Sequence, residues 1–166
     1  MRASATLPKG EGQGESIMRS ELLIRVLRQD ERAAWEPLWQ GYLRFYESSQ
    51  TREATDVLWQ RLHDPAEPMH LLGAYRDGQL IGIVQYLYHR SCWTTGDYCY
   101  LQDLFVNPDV RGGGIGRALI EAVYREARAA GASRVYWNTQ ETNATARILY
   151  DKVAERSGFI QYRNVF

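Results

Sequence analysis

Apolar positions recur along this chain in two rhythms, one of period two and one close to 3.6, and their alternation predicts the elements. Residues 21–28 alternate about Leu22, Ile24 and Val26 and read as a first strand, with Asp30 placed to cap the helix after it. From 31 to about 47, Trp35, Leu38, Trp39, Tyr42, Phe45 and Tyr46 return at helical spacing. Pro37 lies near the start of this helix, where it either fits a first turn or breaks the segment in two. Thr51-Arg52-Glu53-Ala54 opens a second helix to Asp64, with Val57, Leu58 and Leu62 on one face and Pro65 and Pro68 as stops. Residues 69–75 and 79–89 flank Asp77-Gly78, a pair suited to the positive φ angles of a tight hairpin. Residues 98–106 form the next strand, ended by Asn107-Pro108. A glycine run then leads into a helix over 116–130 that turns Leu119, Ala122, Val123 and Ala127 inward and closes at Gly131. A buried strand over 135–139, a helix from 143 to about 155 and a last strand over 159–163 complete a mixed α/β fold.

Composition narrows the class. The 166 residues suit one domain, placed over 20–166, after a polar leader or remnant over 1–19 in which Met18 is a candidate true start. Apolar content of 45% and charged content of 24% are globular values, which disfavours fibrous and disordered classes. Twenty basic residues balance twenty acidic ones, so bulk charge gives no reason to expect a nucleic acid or an anionic membrane as partner. No apolar run approaches the roughly 18–20 residues of a membrane span. Cys92 and Cys99 lack zinc-ligand spacing and read as reduced thiols of a cytoplasmic protein, and His63, His70 and His89 are scattered, so no metal is expected.

The chemistry concentrates in Arg111-Gly112-Gly113-Gly114-Ile115-Gly116-Arg117, between a strand and a helix. Glycines there permit positive φ and leave backbone N–H groups uncovered, and the helix start adds unpaired N–H groups and a positive dipole end. The unit suits a diphosphate, with Arg111 and Arg117 adding charge. An ATP-type loop needs Gly-Lys-Ser/Thr at its end, whereas Gly116 is followed by Arg117-Ala118, and the register is wrong for a dinucleotide fingerprint. A glycine triplet alone also fits a plain flexible turn.

Read with its flanks, Tyr100-Leu101-Gln102-Asp103-Leu104-Phe105-Val106-Asn107-Pro108-x-x-Arg111-x-x-Gly114-x-Gly116 resembles the signature segment of the GCN5-related N-acetyltransferase superfamily. The stretch Tyr136 to Tyr150, with Asn143, Ala146 and Leu149, looks like that family's second cofactor motif, in a form similar to polyamine, diamine and histone-type enzymes. One departure is that Asp151 to Ser157 delays Gly158-Phe159, where the family turns back more quickly. The resemblance implies a central, mostly antiparallel sheet of about six to seven strands with helices on both faces, and acetyl-CoA as cofactor. It implies contacts to the cofactor from Leu104, Phe105, Val106, Arg111 to Arg117, Asn143, Ala146 and Tyr150. It also places Asn143 near the pantetheine arm, Tyr150 beside the thioester sulfur, and backbone N–H groups near Leu104 at a splayed strand end.

Acetyl transfer to an amine needs the amine neutral, the developing oxyanion stabilised and the departing thiolate protonated. Tyrosine, at a pKa of about 10, is close enough to a thiol at about 8.5 for Tyr150 to be the acid. The base stays open. Gln102 stands where diamine-type enzymes often carry Glu and cannot accept the proton; Asp103 serves directly only if the strand is bulged or splayed. A water relay from Gln102, a tyrosine or Glu141 is the other route. Trp39, Tyr42, Phe45, Tyr46, Tyr86, Tyr88 and Trp93 are candidate walls of an acceptor channel, although most of that stripe also suits a plain core. Tyr42, Tyr46, Tyr88, Trp93 and Glu141 are taken as substrate-binding. The acceptor expected is a small primary amine, with a peptide lysine or a non-catalytic acyl-CoA sensor as alternatives. A homodimer paired through the last strand and the long aromatic strands is also expected.

Overall fold

The computed structural model describes residues 21–110 and 112–166; the leader over 1–19 and Arg111 lie outside them. Among the described residues five strands form one sheet in chain order: β1 (Leu23–Val26), β2 (Met69–Arg76), β3 (Gln79–His89), β4 (Tyr98–Val106) and β5 (Arg134–Tyr136). The first four are antiparallel neighbours, and β5 joins β4 in parallel. The sheet is therefore mixed and mostly antiparallel, with five strands where six to seven were expected. Asp77 at φ 52° and Gly78 at φ 75° make the tight turn between β2 and β3 that the dipeptide predicts.

Helices cover both faces. On one side α1 (Arg32–Phe45) and α2 (Arg52–Arg61) pack Trp35, Leu38, Trp39, Trp59 and Leu62 against Leu71, Ile83 and Phe105. On the other, α3 (Ile115–Ala129) buries Leu119, Ala122, Val123 and Ala127 against Leu72, Val84, Leu101 and Val106, with α4 (Ala144–Val153) at its margin. Pro37 neither opens nor breaks α1; the helix runs through it, because four buried side chains on its inner face hold it against the sheet. Gly41 lets that helix lie flush, since a Cβ there would stand 2.7 Å from the Phe105 ring. In α2, Thr51 caps by accepting from the Ala54 N–H at 3.1 Å. The inner face is Thr55, Leu58, Trp59 and Leu62, while Val57 is exposed.

Two predicted strands differ. The fifth stops at Tyr136, because the Trp137 ring turns to pack on Tyr150, centroids 5.3 Å apart, and on Tyr124. The last, over 159–163, does not pair among the described residues. The chain leaves α4 extended at Ala154, and the inserted residues carry Phe159, Ile160, Tyr162, Val165 and Phe166 outward, each at least 75% exposed.

An ion-pair cluster ties β1 to the start of α1. Glu31 accepts from Arg25 through both oxygens at 2.8 Å, from the Arg28 N–H at 2.8 Å and from the Tyr75 hydroxyl at 3.1 Å. Arg25 foremost holds its pKa down at about 2 against the opposing effect of burial. A depressed carboxylate stabilises the fold above its unfolded value near 4.3 and stops doing so as pH falls toward its folded value. Glu31→Gln is expected to lower the melting temperature at pH 7, with the gap to the native chain closing between about pH 4 and pH 2. A gap unchanged across that window would contradict the assignment.

Candidate active site

The glycine run is an open cradle at the start of α3. Gly112 and Gly114 hold φ of 93° and 73°, and a Cβ on either would meet nothing within 4 Å, so that side of the loop is uncovered. Gly114 is the N-cap in left-handed conformation, and the N–H groups of Ile115, Gly116 and Arg117 lack acceptors within the helix. The Arg76 guanidinium reaches the loop from the end of β2, 3.0 Å from where a Gly113 Cβ would stand. It forms no ion pair among the described residues, so it is a cation available to an anion in the cradle. Arg117 pairs along the helix with Glu121 at 3.7 Å. The side chains of Phe105, Val106 and Ile115 are buried in the core, so only their backbones can face a ligand. Gly116 lies against Leu149 and Leu104, joining cradle, α4 and β4.

β4 and β5 pair only from Tyr98↔Arg134 to Tyr100↔Tyr136. β4 then runs on to Val106 while the 137–143 segment diverges, which opens a wedge between them. Within it β4 changes face. Its register to β3 passes from Tyr86↔Leu101 to Gln85↔Asp103, leaving Gln102 as a bulge. Cys99 and Leu101 point to the α3 side before the bulge; Phe105 points to the α1 side after it. Asp103 turns with Phe105, and its carboxylate meets the Tyr42 hydroxyl. The condition placed on Asp103 by the sequence is thus fulfilled in the backbone.

Around Asp103 stands a network of tyrosines and amides. Burial raises the Asp103 carboxyl to about 6, opposed by the bond from Tyr42. Burial, then the Asp103 charge, pushes the Tyr42 phenol far above its usual value. Tyr46 is raised by burial and by Asp103, while its contacts with Thr139 and Asn143 pull the other way. Asn143 is the N-cap of α4 by position, yet its side chain does not cap; its Nδ2 donates to Thr139 Oγ1 at 3.2 Å. Tyr150, further along α4, is raised to about 12 by burial and by the neighbouring Tyr46.

Tyr42, Tyr46, Asp103, Asn143 and Tyr150 therefore lie in one network, with Gln102 exposed at its rim and Ala146 half-buried on α4. Three proposed contacts lie elsewhere. Tyr88 stacks edge-on with His70 and Tyr86 on the α3 face, Trp93 is 82% exposed on the β3–β4 loop, and Glu141 is exposed and pairs loosely with Arg156 at 3.9 Å. Plain alternation along β3 puts Tyr88 on the α3 face with Val84 and Tyr86, and local polarity explains the other two. Arg76, Gln85 and Thr139 reach the site without any local motif to announce them; only the hairpin pairing of β2 with β3 placed Arg76 at this end of the sheet.

A family model described as the acetyltransferase (GNAT) family matches residues 35–154. The D-amino-acid N-acetyltransferase HPA3 of Saccharomyces cerevisiae is 31% identical over 153 residues, spanning 90% of this chain and 94% of its own. The thialysine N-epsilon-acetyltransferase of Caenorhabditis elegans is 33% identical over 72 residues, 43% of this chain and 44% of its own. The solved structure of AAC(6')-Iy in complex with a bisubstrate analog superposes with a TM-score of 0.77 over 89% of this chain and 99% of that one, at 18% identity. That likeness establishes a shared fold.

Because the folded pKa of Asp103 exceeds the unfolded value near 3.9, its charge opposes folding, and stability from this group falls as pH rises from about 4 to about 6. Asp103→Asn is expected to gain up to roughly 2–3 kcal/mol at pH 7, with the gain vanishing below about pH 4 in denaturant titrations. A variant less stable than the native chain at pH 7 would show that Asp103 is held by favourable partners instead.

Proposed function

The chain belongs to the acetyltransferase (GNAT) family and is an acetyl-CoA-dependent N-acetyltransferase, and we propose that it acetylates a primary amine of a small molecule by direct attack in a ternary complex. Small primary amines form the acceptor class, with polyamines, diamines and amino acids among the candidates, in keeping with relatives named for D-amino acids and thialysine. The observation that carries this reading is Asp103: a half-buried carboxylate turned by a bulge toward α1, where Tyr42 faces it, at the level where β4 and the 137–143 segment part.

The cradle fits the cofactor's diphosphate: its positive-φ glycines are uncovered, Arg76 beside them forms no ion pair among the described residues, and α3 presents its first N–H groups. Bound acetyl-CoA supplies an activated acetyl thioester whose departing group is a thiol. Backbone N–H groups near Leu104, on the wedge side of β4, hold the carbonyl oxygen. Asp103 Oδ takes the proton of the attacking amine; at a pKa of about 6 it is roughly nine-tenths ionised at pH 7. Tyr150 Oη donates to the sulfur as the C–S bond breaks. At about 12 the phenol keeps its proton until that charge forms. Full transfer to a free-solution thiolate near 8.5 would cost about 5 kcal/mol, but desolvation in the same site raises the thiol too and narrows the gap. Asn143, Ala146 and the α4 face flank the pantetheine arm, and Tyr42 and Tyr46 line the acceptor's approach. The sensor reading rests on Gln102, and Asp103 supplies the carboxylate that Gln102 lacks.

The described cysteines are unpaired, in keeping with a cytoplasmic setting. The exposed apolar residues between Phe159 and Phe166 support a homodimer in which this segment pairs with a second copy.

Incubation with acetyl-CoA and an amine panel, read by thiol release and product mass, tests the reaction. Acetyl-CoA binding with no amine exceeding background hydrolysis would overturn it, and transfer to peptide lysine alone would replace the acceptor class. Tyr150→Phe is expected to lower kcat by about 10²-fold or more while acetyl-CoA affinity stays within a few-fold; a normal kcat near neutral pH would remove the acid role. Light scattering of the full chain is expected to give twice the monomer mass, falling to one when the chain is cut after Arg156. A monomer at micromolar concentration would contradict the dimer.

A further inference from the structure

Gln85 is a buried polar group that the mechanism does not use. It lies on β3 in register with Asp103, is 3% exposed, and neither its Nε2 nor its Oε1 has a hydrogen-bond partner among the described residues. A buried amide left without partners is destabilising, because each polar group gives up its bonds to water and gains none in return. Such a side chain is not an accident of packing, because a leucine there would simply join the core made by Leu71, Ile83 and Phe105.

The amide lines a recess of about 100 Å³ between the sheet and the α1–α2 layer. Trp39, Leu58, Leu62 and Met69 supply apolar lining, and Gln102 and Asp103 line it from β4. Gln50, also in the lining, is already engaged: its Oε1 accepts from Trp39 Nε1 at 2.9 Å and from Thr55 Oγ1 at 3.0 Å. The volume equals about three waters at roughly 30 Å³ each, or a chain of about four non-hydrogen atoms.

We propose that this recess receives the far end of the acceptor and that Gln85 is the residue that selects it, an inference that rests on the N-acetyltransferase reading. The chemistry of the amide fixes the class. Satisfying Nε2 and Oε1 together requires a group that both accepts and donates. An ammonium only donates and a carboxylate only accepts, and Asp103, which shares the lining, disfavours a second anion. A neutral hydroxyl or carboxamide does both. The favoured acceptor is therefore a primary amine whose short aliphatic chain lies against Trp39, Leu58, Leu62 and Met69 and ends in a hydroxyl or amide. Sites built to hydrogen-bond a substrate group discriminate strongly against analogues lacking it, because the protein's own polar atoms are then left unpaired.

The test compares pentylamine, 4-aminobutan-1-ol and 1,4-diaminobutane with the full chain and saturating acetyl-CoA, reading kcat and KM for each. The native chain is expected to prefer the amino alcohol to pentylamine in kcat/KM by about tenfold or more, mainly through KM. Gln85→Leu is expected to remove or reverse that order while leaving kcat for pentylamine within a few-fold, and Gln85→Glu to move preference toward the diamine. Equal kcat/KM for the amino alcohol and pentylamine in the native chain overturns the inference without any variant, and leaves acetyl transfer itself standing. A loss in Gln85→Leu that is the same for all three amines also overturns it, since that is the mark of a structural role. Acetyl-CoA binding with transfer to none of the three defeats both this inference and the small-amine reading.

Discussion

The bulge at Gln102 sets what the two faces of this sheet can do. Before it, β4 sends Cys99 and Leu101 toward α3; after it, Asp103 and Phe105 point toward α1. Without the extra residue, Asp103 would share the α3 face with Leu101, Leu119, Val123 and Ala127, on the opposite side of the sheet from Tyr42. With it, the carboxylate meets Tyr42 in the layer between sheet and helix, at the height where β5 has ended and the wedge begins. One inserted residue therefore couples the opening beside β4 to the placement of the Asp103 carboxylate, the base of the proposed reaction.

The energetic consequence is a site that opposes the fold carrying it. Burial raises Asp103, Tyr42, Tyr46 and Tyr150 together, and Gln85 adds a buried amide without a partner among the described residues. The two apolar layers offset this. Trp35, Trp39 and Trp59 on one side and the α3 face on the other bury enough surface to hold a polar seam between them. Gly41 brings α1 close over Phe105, so the helix that presents Tyr42 is fixed in height above the strand that presents Asp103. Ionisable groups raised by burial and an amide without a partner among the described residues gather at the site, while the rest of the domain supplies the stability.

The elements with strong local signals were legible in the sequence: the Asp77-Gly78 hairpin, the inward face of α3 and the glycine cradle each follow from residues close together in the chain. Asp103 was half legible, since alternation stated what the backbone would have to do for it to serve, while the bulge itself leaves no local mark. Pro37 was misleading because tertiary burial outweighs one lost helical bond. Tyr88, Trp93 and Glu141 show that aromatic or acidic character says little about which face of a strand a residue takes or where a loop carries it. The last strand alternates as a strand should, but pairing depends on a neighbour, and the residues inserted after α4 carry it away from the edge of its own sheet. Gln85 reads in sequence as one polar position in an apolar strand; its meaning comes only from the recess it faces.

The central claim is that Asp103 takes the proton of the acceptor amine. The pH dependence of kcat/KM with a weakly basic acceptor, one neutral throughout the range, isolates this group from ionisation of the substrate. The account predicts a single rise in kcat/KM through about pH 6 to a plateau, absent in Asp103→Asn. A flat profile from pH 5 to pH 8 in the native chain, or the same rise surviving in Asp103→Asn, would contradict it.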